Sequence, residues 1–265
     1  MERIDSIDDP RVAAYRNLRD RTLRGESIFL AEGRLLVERL LASRFETESV
    51  FVAEEFAADL SRSIGDRVPL YVGTRRMMME VVGFNFHRGV LAVARRRPPG
   101  TLDGMLSTVA QRPALRLVIG PKITQPENLG LIFRTAAGFG VDGLVLGPQC
   151  CDPLSRRALR LSMGGVLRVP FITSSDLAAD LRRLKAQWGV ELVATVLSPD
   201  AARLDVFRWP SRAAVLFGNE FEGLDAEWVA WCDHRLTIPM QPGTDSLNLG
   251  VAAGVFLYEM TRGAQ

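Results

Sequence analysis

From about residue 113 onward the sequence alternates two kinds of segment. Short apolar runs stand at 115–119, 143–146, 167–171, 191–195, 213–217 and 234–238. Helical patterns fall between them at 127–137, 155–161, 176–187 and 225–232, and a last helix is predicted over 246–260. A strand that is apolar throughout must be covered on both faces, and a helical crossover is the ordinary way to join parallel neighbours. The alternation therefore predicts a parallel sheet between layers of helix. In such sheets ligands bind beyond the carboxyl ends of the strands, so the loops after strands are where chemistry is sought.

The first part of the chain reads as a smaller α/β unit. Asp9-Pro10 opens a predicted helix over 10–23, with proline in its first turn. Strands are expected at 27–30, 49–53, 69–72 and 89–94, and helices at 32–41 and 74–82. The run Arg95-Arg96-Arg97-Pro98-Pro99-Gly100 ends the last of these strands, because Pro-Pro-Gly continues neither a helix nor a central strand. A chain of 265 residues suits two modest domains. The expected division is a domain over 1–97, a linker over 98–112 and a domain over 113–265.

Composition narrows the function classes. With 33 basic and 31 acidic residues the formal charge is +2, so no basic tail coats nucleic acid. All but two of the cations are arginine, the exceptions being Lys122 and Lys185. Arginine forks match phosphate, and arginine-biased codon usage leaves the same imprint. Local clusters are the candidates for RNA contact: Arg16, Arg19, Arg21 and Arg24; Arg95 to Arg97; and Arg156, Arg157 and Arg160. Solvated, ion-paired faces are the competing reading of each. Three cysteines, two of them adjacent, make neither a disulfide framework nor a zinc spacing, which implies a reducing compartment. His87 and His234 have no partners at ligand spacing, so no metal is expected. The start lacks the apolar core of a signal peptide, and the longest apolar run, 249–258, is too short to span a bilayer. The expectation is a cytoplasmic protein with no membrane association.

Three loops carry residues suited to chemistry. After the strand at 115–119 comes Gly120-Pro121-Lys122-Ile123-Thr124-Gln125-Pro126-Glu127-Asn128-Leu129-Gly130, with Arg134 six positions past Asn128. A helix start favours anions and Arg134 adds a cation, although a capped helix with Arg134 in a surface ion pair fits the spacing as well. After 213–217 comes Gly218-Asn219-Glu220-Phe221-Glu222-Gly223-Leu224, a glycine-bounded turn that lets backbone approach a ligand, or simply a turn. After 234–238 comes Pro239 through Gly250, where Ser246 and Asn248 either cap the last helix or line a pocket.

The order of these loops, each following a strand of one sheet, resembles the SpoU/TrmH branch of the SPOUT methyltransferases. The resemblance rests on Asn128-Leu129-Gly130 with Arg134-Thr135-Ala136, on Gly218-Asn219-Glu220 with Gly223-Leu224, and on Ile238-Pro239-Met240 with Ser246-Leu247-Asn248. It covers residues 113 to 262. Residues 1 to 97 resemble the ribosomal-protein-like substrate-binding domain of many members, through Glu32-Gly33-Arg34 and His87-Arg88-Gly89-Val90. The sequence departs from the family where Gln125 replaces a frequent Asp, Phe221 a frequent Gly and Gly250 a frequent Ser.

The resemblance implies a parallel sheet with a deep trefoil knot, a homodimer whose subunits share each active site, and S-adenosylmethionine as cofactor. The implied reaction is methyl transfer to a ribose 2′-hydroxyl of RNA, with rRNA ahead of tRNA. Backbone groups of Gly218, Ile238 and Leu247 would hold the adenosine, with Asn219 and Met240 in the same set. Arg134 would lower the energy of the alkoxide and clamp the adjacent phosphate, since a guanidinium does not act as a literal base. Asn128 would orient Arg134 or the ribose, Ser246 and Asn248 would complete the pocket, and Glu220 would serve either the substrate or its own loop. An RNA-binding protein with a decayed methyltransferase domain and an antibiotic-resistance rRNA methyltransferase share this layout. A dinucleotide-dependent oxidoreductase does not, for the Gly-x-Gly-x-x-Gly turn is missing.

Overall fold

A computed structural model describes residues 1–18, 23, 25–65, 67–244 and 246–262. Arg19, Arg21 and Arg24 of the first arginine cluster lie outside the described residues. By compactness the chain divides into Met1–Arg97 with Leu154–Leu167, and Pro98–Pro153 with Arg168–Gln265. The sequence pattern ran the second domain unbroken over 113–265.

The first unit holds β1 (Glu2–Arg3), β2 (Ile28–Glu32), α1 (Arg34–Leu41), β3 (Thr47–Ala53), α2 (Glu54–Ile64), β4 (Leu70–Gly73), α3 (Arg75–Val82) and β5 (Val90–Arg95). Its sheet has the order β1-β4-β3-β5-β2. The first three run parallel, and β5 pairs antiparallel with both β3 and β2. The core gathers Tyr15, Leu30, Phe51, Met78, Val82 and Leu91, and the Met77–Met79 run contributes to it.

The rest of the chain holds α4 (Leu102–Leu106), β6 (Leu115–Gly120), α5 (Pro126–Phe139), β7 (Gly143–Leu146), α6 (Arg156–Leu161), α7 (Gly165–Arg168), β8 (Phe171–Thr173), α8 (Leu177–Trp188), β9 (Glu191–Thr195), β10 (Ala202–Arg203), β11 (Arg212–Leu216), α9 (Ala226–Trp231), β12 (His234–Thr237) and α10 (Leu249–Thr261). Seven strands form one sheet in the order β10-β12-β9-β11-β6-β7-β8, parallel throughout. β6, β7 and β11 are buried along nearly their whole length, as strands covered on both faces must be.

Several elements differ from the sequence reading. Of the helix expected over 10–23, residues 19–22 lie outside the described residues, and the described part is a 3₁₀ turn, Pro10–Tyr15, that stops at an extended Arg16. The N–H groups of Asn17 and Leu18 donate to the carbonyls of Val81 and Val82, so tertiary pairing draws the chain away from the helix. The apolar run expected as a strand over 167–171 divides into helix α7 and strand β8, because a short apolar run does not distinguish a buried helix from a strand. The expected linker contains α4 and buries Leu102, Leu106 and Val109 in the second core, each leucine stabilising by about 1.5–3 kcal/mol. Helix α10 begins at Leu249, three residues after the expected Ser246, because Asn248 caps it. Helix α2, which the sequence reading passed over, buries Ala57, Leu60 and Ile64 at helical spacing.

Candidate active site

Helix α5 starts at Pro126, and its N-cap position, Gln125, makes no side-chain cap. The first turn is held from elsewhere. β11 lies beside β6 in parallel register, so the loops after the two strands leave the sheet together. From the β11 loop the carboxylate of Glu220 accepts the backbone N–H of Gln125 at 3.0 Å, the backbone N–H of Thr124 at 3.2 Å and the Thr124 hydroxyl at 3.0 Å. Burial pushes the Glu220 pKa up, but the Gln125 and Thr124 donors, aided by the Asn128 amide, outweigh it and hold the carboxyl below its ordinary range. Glu220 is spent on its neighbour's backbone, which favours the structural role over the substrate-directed one.

The β11 loop is itself rigid. Asn219 and Gly223 exchange both backbone hydrogen bonds, at 2.7 and 3.0 Å. The Asn219 side-chain oxygen accepts the N–H groups of Phe221 at 2.9 Å and Glu222 at 3.3 Å. A Cβ on Gly218 would stand 2.1 Å from the Gly223 carbonyl carbon, so only glycine permits this closure. Lys122 reaches across to Glu222 at 2.7 Å. The loop presents Phe221 outward, 82% exposed.

Two further contacts fix the β6 loop. The buried Cys150 thiol donates to the Gly120 carbonyl at 3.0 Å and accepts the Ile123 N–H at 3.2 Å. A Cβ on Gly147 would lie 2.1 Å from the Pro121 carbonyl oxygen. Sequence reasoning singled out neither Thr124 nor Cys150, since both act through contacts between distant loops. Burial pushes the thiols of Cys151 and Cys232 up to about 12, which makes both poor nucleophiles at neutral pH.

The third loop reaches the first through a pair of amides. Asn248 caps α10, its side-chain oxygen accepting the N–H groups of Gly250 at 2.9 Å and Val251 at 3.3 Å. Its side-chain nitrogen donates to the side-chain oxygen of Asn128 at 2.9 Å, and Asn128 is buried. Gly250 brings α10 close to α5, for a Cβ there would stand 2.7 Å from the Leu131 Cδ1. Ile238, Met240 and Leu247 are half-buried, and Ser246 is exposed. Met240, Ser246 and Leu247 make no hydrogen bond with a described residue, so their backbone donors are open to a ligand.

Arg134 stands on the exposed side of α5, and its guanidinium has no hydrogen bond or ion pair with a described residue. The surface ion pair that its spacing allowed is absent there. The structure thus links Asn128, Gly218, Asn219, Glu220 and Asn248 in one network and leaves Arg134 and Ser246 unattached to it. On α10, Val251, Val255 and Tyr258 form an exposed apolar stripe at helical spacing, with Tyr258 also against Phe139 at 5.9 Å.

The arginine clusters divide on inspection. Arg156 pairs with Glu32 and donates to the Leu18 carbonyl, and Arg95 pairs with Glu48 at 2.7 Å. Arg96 donates to the carbonyls of Ile28 and Leu23, each at 3.1 Å. These three hold the fold together. Among the described residues no helix is long and apolar enough to cross a membrane, and no group of three His, Cys, Asp or Glu converges on a metal position.

Comparison with known proteins gives consistent matches. The model of the SpoU rRNA methylase family matches residues 116–258. A Mycobacterium tuberculosis protein described as an uncharacterized tRNA/rRNA methyltransferase is 39% identical, over 96% of this chain and 90% of its own. The 23S rRNA (guanosine-2'-O-)-methyltransferase RlmB of Acinetobacter baylyi is 33% identical, over 71% of this chain and 76% of its own. The AdoMet-bound rRNA methyltransferase of Sinorhizobium meliloti has the same fold, with a TM-score of 0.83 at 24% identity, covering 100% of this chain and 98% of that one.

Proposed function

Because this chain belongs to the SpoU rRNA methylase family, we propose that it transfers a methyl group from S-adenosylmethionine to a ribose 2′-hydroxyl of rRNA. The observation that carries the reading is Arg134: an exposed guanidinium without an ion pair among the described residues, on a helix whose first turn is fastened by both other loops. An unpaired arginine on a rigid element costs no ion pair when it meets an anion. The relative from Acinetobacter, a 23S rRNA (guanosine-2'-O-)-methyltransferase, supports the ribose acceptor and the rRNA class.

S-adenosylmethionine, when bound, supplies an already activated methyl group. The residues present suit it: Ile238, Met240 and Leu247 offer a half-buried apolar lining, and the open backbone of Met240 and Leu247 offers donors and acceptors. Gly218 and Asn219 shape the neighbouring wall. The chain's own work is alignment of the acceptor oxygen and stabilisation of charge as the hydroxyl proton leaves. Arg134 faces the developing alkoxide and the adjacent phosphate. Asn128, held by Asn248, fixes the first turn of α5, the helix that carries Arg134 further along, and Ser246 lies free to bond the ribose or a partner subunit's group. Residues 1–97 form the RNA-binding part, and the site-bearing part contains the trefoil knot. The protein works in the cytoplasm as a homodimer joined along the apolar stripe Val251, Val255 and Tyr258, which a monomer would leave wet.

Incubation with tritiated S-adenosylmethionine and rRNA from an unmodified strain tests the reaction, with tRNA as the second substrate and Arg134→Ala as control. Label on ribose that vanishes in the variant is the expected result. Equal inertness of both proteins on both RNAs overturns it.

A further inference from the structure

The first unit contains a cavity of about 310 Å3 that the site above does not use. Its wall begins at Glu32 and Gly33, where β2 passes into α1, and is completed by Arg88 before β5 and by Arg160 and Met163 from the segment Leu154–Leu167. The charges around it are unbalanced. Glu32 is buried and its carboxylate is already matched by Arg156. Arg88 and Arg160 are both exposed, and their guanidinium groups make no ion pair or hydrogen bond with a described residue. Two unpaired guanidinium groups from two separate segments therefore border one cavity beside a neutralised acid.

The geometry of the wall is specific. Gly33 has φ +91, and a Cβ there would stand 3.3 Å from both Cδ and Nη1 of Arg88, so glycine lets the arginine lie across the start of α1. Met163 holds a left-handed φ of 50 although it carries a side chain. Its carbonyl accepts from Arg39, and the following Gly164 packs so tightly that a Cβ would meet Arg39 Cδ at 3.0 Å and Leu36 Cδ1 at 3.1 Å. That conformation leaves Met163 39% exposed, and Leu35 on α1 is 45% exposed. Backbone strain kept in order to expose an apolar side chain is a mark of a binding feature.

We propose that this cavity is a nucleotide subsite for the RNA substrate, holding one backbone phosphate between Arg88 and Arg160 and the adjoining unstacked base against Leu35 and Met163. Arginine forks match phosphate oxygens, and a base brings a flat apolar face that requires an apolar wall. The volume lies at the small end of ligand pockets, enough for a single nucleotide and too narrow for a duplex or a folded partner. The subsite rests on the RNA reading of the preceding section. It adds a point of selection for single-stranded RNA, through residues outside the three loops.

The full-length protein, titrated with purified 23S rRNA over a range of salt, provides the test. The double variant Arg88→Glu/Arg160→Glu is expected to weaken binding by about tenfold or more and to lower the slope of log affinity against log salt by about 1. Arg88→Lys/Arg160→Lys is expected to recover most of the slope. Leu35→Ala/Met163→Ala is expected to weaken binding by about fivefold or more with the slope unchanged, since stacking is insensitive to salt. Unchanged melting temperature and S-adenosylmethionine affinity show that the variants fold. Wild-type affinity and slope in the charge-reversed variant overturn the phosphate assignment, and an unaffected Leu35/Met163 variant overturns the base assignment. Competition by a polyglutamate peptide as strong as that by RNA of equal charge also overturns the proposal. A wild type that binds 23S rRNA through Arg88 and Arg160 yet transfers no methyl group sinks the methyl-transfer reading alone.

Discussion

Helices α5 and α10 enter the site by opposite means. α10 caps itself: Asn248 stands at its N-cap and satisfies Gly250 and Val251. α5 has no cap of its own, and the donors of its approach are met by Glu220, ninety-five positions later at Gln125. A self-capped helix keeps its end through local sequence, whereas a helix capped from another loop keeps its end only when the tertiary structure is intact. The helix that carries Arg134 is the dependent one. The two are then tied together by the Asn248–Asn128 hydrogen bond, so the independent end steadies the borrowed one.

The division between residues that hold and the residue that is held has measurable consequences. The largest is expected at Arg134. Replacement by alanine should cut kcat by about 100- to 1,000-fold, in the range for loss of a donor that meets developing charge, with melting temperature unmoved. A fall in melting temperature would break the comparison by making Arg134 part of the scaffold. Next comes Glu220→Ala, which strands the Thr124 and Gln125 donors and should cost about 1–3 kcal/mol in denaturant unfolding, with weaker cofactor binding in calorimetry. Asn248→Ala should cost about 0.5–2 kcal/mol, as loss of an N-cap does. The smallest effect is the coupling between the two ends: a double-mutant cycle of Asn128→Ala and Asn248→Ala should yield about 0.5–1 kcal/mol. Strict additivity would mean that α10 does not steady α5.

The borrowed cap also has a pH signature. The folded pKa of Glu220 lies below its ordinary value of 4.5, so its contribution to stability is present above that value and is lost as pH falls through the folded pKa. At neutral pH the wild type should melt above Glu220→Gln, and the gap should close as the pH falls below 4.5 through the folded pKa. A gap constant with pH would assign the stabilisation to shape and not to charge.

What the sequence made legible follows the same line between local and distant. Strand β6, helix α5 and strand β11 were readable because apolar runs and helical spacing are written in consecutive residues. The family motifs pointed to Asn128, Glu220 and Asn248, but not to what they do. That Glu220 serves a backbone 95 positions away, or that Cys150 staples the β6 loop, is a property of the sheet order and has no local signal. The expected linker failed for a related reason: Pro98, Pro99 and Gly100 mark a true break in pattern, yet Leu102, Leu106 and Val109 bury themselves immediately after it. Spacing left Arg156 between RNA contact and an ion-paired face; the pair it makes is with Glu32, 124 positions away, and has no local signal.

The sheet order β10-β12-β9-β11-β6-β7-β8 also sets a timetable. A ribosome adding roughly 5–20 residues per second delivers Asn128 well before Glu220 and Asn248, a delay on the order of 5–25 s. During that interval the nascent chain displays the first turn of α5 without its cap and β6 without its neighbour β11. Arg134, to which the proposed function gives the catalytic role, is therefore synthesised early, and its helix gains its support late. If the proposed function holds, a shortened chain that stops before Asn248 is expected to transfer no methyl group to RNA.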